Sequence, residues 1–218
     1  MTKMSRKLKI SGKLLLILSG ILFISIVANL LFLVNFSEKN IVVRVVDGDS
    51  LDLKDGRRIR LLGIDAPERG KCMFEAGKAK LEEMVLGKRV RLEDIVTDDY
   101  GRNLANVFVG NILVNKVLVE EGLARFVYVK SRHYEEMKKA QKDAKAKNLG
   151  IYSPLCRKTS PQSEECNIKG NIREGRKIYH LPNCPNYKEV IVDESFGDRW
   201  FCNEEEAVKE DFIKASGC

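Results

Sequence analysis

Histidine and tryptophan are scarce in this 218-residue chain, which has two of the first and one of the second. His133 stands in a polar loop at the expected start of a helix, where it is read as structural. His180 lies among the cysteines of the C-terminal region. Cysteine never occurs as C-x-x-C, which removes the spacing that most strongly marks a structural zinc site. The first thirteen residues contain no acid, Leu14 to Phe36 contain no charge of either sign, and no A-x-A site follows them. The missing cleavage site argues against a removable signal peptide.

Five basic residues do stand in those first thirteen, and the 23 uncharged residues after them are long enough to span a bilayer as a helix. Residues 1–38 are thus expected to be a basic cytoplasmic head and a single uncleaved membrane anchor through residues 14–36. By the positive-inside rule the rest of the chain is then extracytoplasmic. The formal net charge of +7 shrinks accordingly: without the head, 33 basic residues face 31 acidic ones. A surplus of that size is weak evidence for nucleic-acid binding, so the pI of about 9.0 is mainly a sign of topology. After the anchor, the length suits one compact domain and a small module, divided as 39–155, a linker at 156–165, and 166–218.

The most informative stretch is VVRVVDGDSLDLKDGRRIRLLGIDAPE, from Val42 to Glu68. Short β-branched runs separated by Asp-Gly turns predict a meander of antiparallel strands. Asp47 and Asp49 flank the first turn, and Asp65 and Glu68 follow the third strand. Singly, each is an ordinary turn residue. Together at one rim they would repel unless a hard cation neutralised them, and calcium accepts such oxygen ligands in a forgiving geometry. Arg60 lies between the two acidic pairs, where its planar fork could match two phosphate oxygens.

VVDGDSLDL, RIRLLGIDAPE, DDYGRNLA (Asp98 to Ala105) and LVNKVLVEEGLARFVYV (Leu113 to Val129) resemble the staphylococcal, thermonuclease-type nucleases, in that family's order and over about residues 41 to 153. The resemblance implies a mainly β fold with packed helices (α+β), an OB-type five-stranded barrel of the kind that presents a face to oligonucleotides. It also implies hydrolysis of DNA and RNA with little sequence preference, leaving 3′-phosphates. Asp49, Asp65 and the Ala66 backbone carbonyl would hold Ca2+, with Asp47 behind them. Glu68 would orient or deprotonate the attacking water, and Arg60 and Arg102 would stabilise the five-coordinate phosphorus. Tyr100 and Tyr128 match tyrosines that line the nucleotide site. Two positions depart from the family: Ala66 replaces a threonine that serves through its main-chain oxygen, and Asp99 stands where a lysine is common.

Five of the six cysteines fall at 156, 166, 184, 202 and 218, with Cys72 in the loop after Glu68. An even number in an extracytoplasmic chain reads as a disulfide framework with fifteen possible pairings. The alternative is a structural Zn2+ site from His180, Cys184, Cys202 and Cys218, with Cys166 near by. Tyr179, Tyr187, Phe196, Trp200 and Phe201 are expected to form the small core of this module. No protein partner is expected. The competing functional reading is a catalytically inactive nucleic-acid-binding or surface interaction protein on the same fold. Such proteins usually lose the acids or arginines, whereas Asp49, Arg60, Asp65, Glu68 and Arg102 are all retained here.

Overall fold

The computed structural model describes residues 18–29, 39–161, 163–173 and 175–218. Residues 18–29 form a helix, α1, with every residue exposed. The rest of the expected membrane span, 14–17 and 30–36, lies outside the described residues. Among the described residues no helix is long and apolar enough to cross a membrane.

Asn40–Cys218 form one compact unit. Its first sheet follows the order β1 (Val42–Val45), β2 (Ser50–Leu53), β3 (Arg58–Leu61), β6 (Asn103–Val109), β5 (Arg91–Thr97), with β7 (Ile112–Leu113) beside β6. Strands β1, β2 and β3 make the expected antiparallel meander, while β3 and β6 pair in parallel. The expected five-stranded barrel is not closed. Its two ends meet through an isolated bridge, Ile41 to Arg89, with Val42 N donating to Lys88 O at 3.0 Å, Gly87 N to Val42 O at 2.9 Å and Val90 N to Asn40 O at 2.9 Å.

Alternation puts Val42, Leu51, Leu53, Ile59 and Leu61 inside, each at most 1% exposed. Helices α2 (Phe74–Val85), α3 (Val114–Glu120) and α4 (Tyr134–Ala146) close the core with Leu81, Val85, Leu118, Met137 and Ala140. Each of the larger side chains contributes roughly 1.5–3 kcal/mol by leaving water. Asn115 is one of the buried polar residues here. Fully buried on α3, it accepts from Val107 N (2.9 Å) and donates to Leu62 O (2.9 Å) and Ala105 O (3.3 Å), tying β6 to the chain after β3.

The third strand of the meander, β3, ends at Leu61, and the chain turns at Gly63, whose φ is +70°. A new strand, β4 (Ile64–Asp65), turns away and pairs antiparallel with β8 (Arg125–Phe126) in a separate two-stranded sheet. That pairing sets Asp65 opposite Arg125.

The C-terminal part holds a four-stranded sheet ordered β13 (Arg199–Phe201), β10 (Ile168–Arg173), β11 (Arg176–His180), β14 (Ile213–Lys214), with the short helix α5 (Glu204–Lys209). The expected linker begins as β9 (Arg157–Lys158), paired with β12 (Val192–Asp193). Tyr179 and Phe201 are buried as expected, joined by Ile168, Ala207 and Phe212. Phe196 departs from that expectation. It packs beside Ala144, Ile151 and Tyr152 of the nuclease-like part, with the Arg125 guanidinium 3.7 Å from its ring centroid.

All six cysteines form disulfides: Cys72–Cys156, Cys166–Cys202 and Cys184–Cys218. This corrects the zinc alternative, because zinc binds thiolates and Cys166, Cys184, Cys202 and Cys218 have none to offer. Burial and the nearby Lys169 and Arg173 charges hold His180 below the usual imidazole range.

Candidate active site

The site is built at the turn between β1 and β2. Asp47 Oδ1 accepts from Asp49 N at 3.1 Å, closing the turn through a side chain. Gly48 is required by proximity: a Cβ there would stand 2.7 Å from Ala66 Cβ. That contact presses the turn onto the Asp65-Ala66 segment. Asp49 consequently points inward and is 2% exposed. Its Oδ1 accepts from Ser50 Oγ (2.9 Å), and its Oδ2 from Ala66 N (3.1 Å). Burial pushes the Asp49 carboxyl up to about 7, against the pull of Arg60.

Arg60 lies opposite Ser50 in the β2/β3 register. Its Nη2 reaches Asp49 Oδ2 at 2.7 Å and Asp65 Oδ1 at 3.2 Å. The two oxygens can lie no farther apart than those bonds together, so two carboxylates converge on one positive group. The second oxygen of Asp65 accepts from Arg125 Nε (2.9 Å) and Nη2 (2.6 Å). Arg125 follows directly from the β4/β8 register, a pairing that no local feature of either segment marks.

Asp47, Arg60, Glu68 and Arg102 line one cavity of about 430 Å³, with Ser50 and Arg58. Arg102 comes from the loop before β6. Asp98 aims it, accepting from Arg102 N at 2.8 Å and Arg102 Nε at 2.7 Å. Glu68 is exposed at the rim. The two tyrosines separate. Tyr128 lines an adjoining cavity with Arg60, Asp65 and Arg125, whereas Tyr100 is 85% exposed, its ring centroid 5.2 Å from the Arg102 guanidinium.

Among the described residues no three His, Cys, Asp or Glu side chains are arranged to hold a metal ion. What Asp49 and Asp65 offer is a pair of hard oxygen donors, now neutralised by Arg60, with the Ala66 carbonyl next to Asp65 in sequence. That donor set fits a cation that completes its shell with backbone and water oxygens. Chemically, the arrangement sets converging carboxylates beside two arginines and one exposed carboxylate around an open cavity.

A family model for staphylococcal nuclease homologues matches residues 58–154. A thermonuclease from Staphylococcus intermedius is 38% identical over 128 residues, covering 53% of this chain and 76% of its own length. Protein ParB of Escherichia coli is 34% identical over 125 residues, covering 51% and 71% respectively. Micrococcal nuclease of Shigella flexneri is 30% identical over 125 residues, covering 51% and 72%.

Proposed function

The chain belongs to the staphylococcal nuclease family and is a nuclease, and on that premise we propose that it is a calcium-dependent phosphodiesterase acting outside the cytoplasm on single-stranded or frayed DNA and RNA. The observation that carries the calcium reading is the convergence of Asp49 and Asp65 on a single nitrogen of Arg60. Calcium bound by Asp49, Asp65 and the Ala66 carbonyl would supply Lewis-acid polarisation of a phosphoryl oxygen and the positive charge those carboxylates require.

Arg60 and Arg102 then serve the phosphate, placing preorganised donors where negative charge accumulates as phosphorus becomes five-coordinate. Asp98 fixes the Arg102 fork in advance. Glu68, exposed on the same cavity, orients the attacking water and accepts its proton. Tyr128 offers a ring beside Arg60 for the nucleotide, and Tyr100 one beside Arg102. The site grips phosphate and stacks on bases without reading their edges, so cutting is sequence-tolerant; 3′-phosphate products are what the resemblance to the family implies.

Three disulfides support an oxidising, extracytoplasmic compartment. The uncharged residues 14–36 behind a basic head support a single-pass anchor in the cell membrane.

Hydrolysis of a labelled single-stranded oligonucleotide by the full chain, with calcium, magnesium or chelator, tests this reading. Calcium-dependent cutting that Asp49→Ala abolishes is expected. Cutting that survives chelation would refute the calcium role. Tight binding without cutting in any metal would favour an inactive binding protein.

A further inference from the structure

Where the nuclease-like part meets the C-terminal part lies a cavity of about 390 Å³ with four cations on its walls, Arg125, Lys145, Arg157 and Arg173, against one carboxylate, Asp193. Phe126, Tyr152 and Phe196 complete much of the remaining wall. Cations interleaved with aromatic rings are the surface that single-stranded nucleic acid uses, the charges following the backbone and the rings receiving sugars and bases.

Two further observations make this a track rather than a solvated patch. The cavity shares Arg125 with the one lined by Arg60, Asp65 and Tyr128, and that cavity in turn shares Arg60 with the candidate active site. On its other side it shares Arg157 and Arg173 with a cavity of about 460 Å³ that reaches Asn171 and His180. Polar atoms are also left unused along it. Arg157 Nε and Asn171 Oδ1 are buried without a hydrogen-bond partner among the described residues, Nε lying 3.9 Å from Asp193. Buried unpaired groups of this kind are uncommon and cost free energy unless something else satisfies them.

We infer that the C-terminal module extends the substrate groove, holding the phosphates of single-stranded nucleic acid at Lys145, Arg157 and Arg173 while the scissile bond sits at the candidate active site. This rests on the nuclease reading for its substrate class but not for its test. Arg125 is the joint of the track: it grips Asp65 with one edge and lies over Phe196, so the module touches the acidic pair through a single side chain.

The test measures binding of the full chain to fluorescent single-stranded oligonucleotides of about 4 and about 16 nucleotides, in chelator, over a series of salt concentrations. Lys145→Ala and Arg173→Ala are the variants, since both side chains are exposed and neither touches the candidate active site. Expected are tighter binding of the longer strand by the parent, loss of most of that advantage in the double variant, a salt slope shallower by about 0.7 per lost contact, and partial rescue by Arg173→Lys. Equal length dependence and equal salt slope in parent and double variant would overturn the inference. So would equally effective competition by inorganic polyphosphate, which marks a general polyanion site. Cleavage of the short strand in calcium is followed in parallel. Its absence would refute the nuclease reading while leaving the binding comparison intact, and its preservation in the double variant separates the track from the catalytic centre.

Discussion

The Cys72–Cys156 disulfide joins the loop after Glu68 to the end of the nuclease-like part, closing 84 residues of chain. Replacing both cysteines by alanine frees that loop in the unfolded ensemble. The chain-entropy relation for a loop of this length gives a loss of about 4.5 kcal/mol. Little in the folded state compensates locally. Helix α2 starts from Met73 at φ 69° with no side-chain cap, so the bridge one residue earlier is what holds its entry. The backbone bonds Cys72 N to Glu194 O (3.4 Å) and Glu194 N to Cys156 O (2.9 Å) survive the change and keep the junction in register.

The loss is read by urea unfolding of the full chain and of Cys72→Ala/Cys156→Ala, followed by Trp200 fluorescence and far-ultraviolet circular dichroism. With a slope of about 2 kcal/mol per molar urea, the midpoint should fall by about 2 M, the slope itself rising as the freed unfolded chain exposes more surface. A fall under about 0.5 M at constant slope would refute the reasoning, because it would mean the unfolded chain gains no freedom from losing the bridge. Coincident transitions by both probes are expected, since Asn40–Cys218 form one compact unit.

Replacing Gly48 by Ala places a Cβ 2.7 Å from Ala66 Cβ and should part the two segments that carry Asp49 and Asp65, weakening calcium affinity at least tenfold in a calorimetric titration. Arg102→Ala should lower turnover by about two to three orders of magnitude with an unchanged circular dichroism spectrum, the scale of losing one preorganised donor; a change under tenfold would make Arg102 an ordinary loop residue. His180, held below its unfolded value of 6.5 by burial and by Lys169 and Arg173, stays neutral in the fold at a pH where the unfolded chain takes up a proton. Stability therefore falls as pH drops from about 6.5 toward the lowered value, and His180→Gln should remove that component from chemical unfolding measured across the window. An identical pH profile in the variant would refute the assignment.

Much of the nuclease-like part was legible because its signals are local. Short β-branched runs and Asp-Gly turns locate β1, β2 and β3. The acids and arginines could be assigned because resemblance supplied their roles together. What stayed hidden depends on pairing between distant segments. Asn115 reads as one polar residue in an apolar helix, and only the fold reveals that it supplies hydrogen bonds to β6 and to the chain just after β3. Gly48 read as a turn glycine, yet its requirement is the approach of Ala66. The disulfide pairing was one of fifteen possibilities and no spacing argument could select it.

Arg125 and Phe196 carry that point furthest. In sequence, Arg125 is the cation at the end of an amphipathic run and Phe196 an aromatic in a small module that needs a core. The chain turns at Gly63 after β3 and β4 pairs with β8, so Asp65 meets Arg125 in register. The Cys72–Cys156 bridge and the β9/β12 pairing bring the module against the same place, where Phe196 underlies the guanidinium. Asp65 is thus positioned from two sides, by Arg60 within the first sheet and by Arg125 backed by the module. A carboxylate held in this way has each oxygen on an arginine, one of which also binds Asp49. The C-terminal module therefore has a physical route to the acidic pair that its own sequence does not disclose.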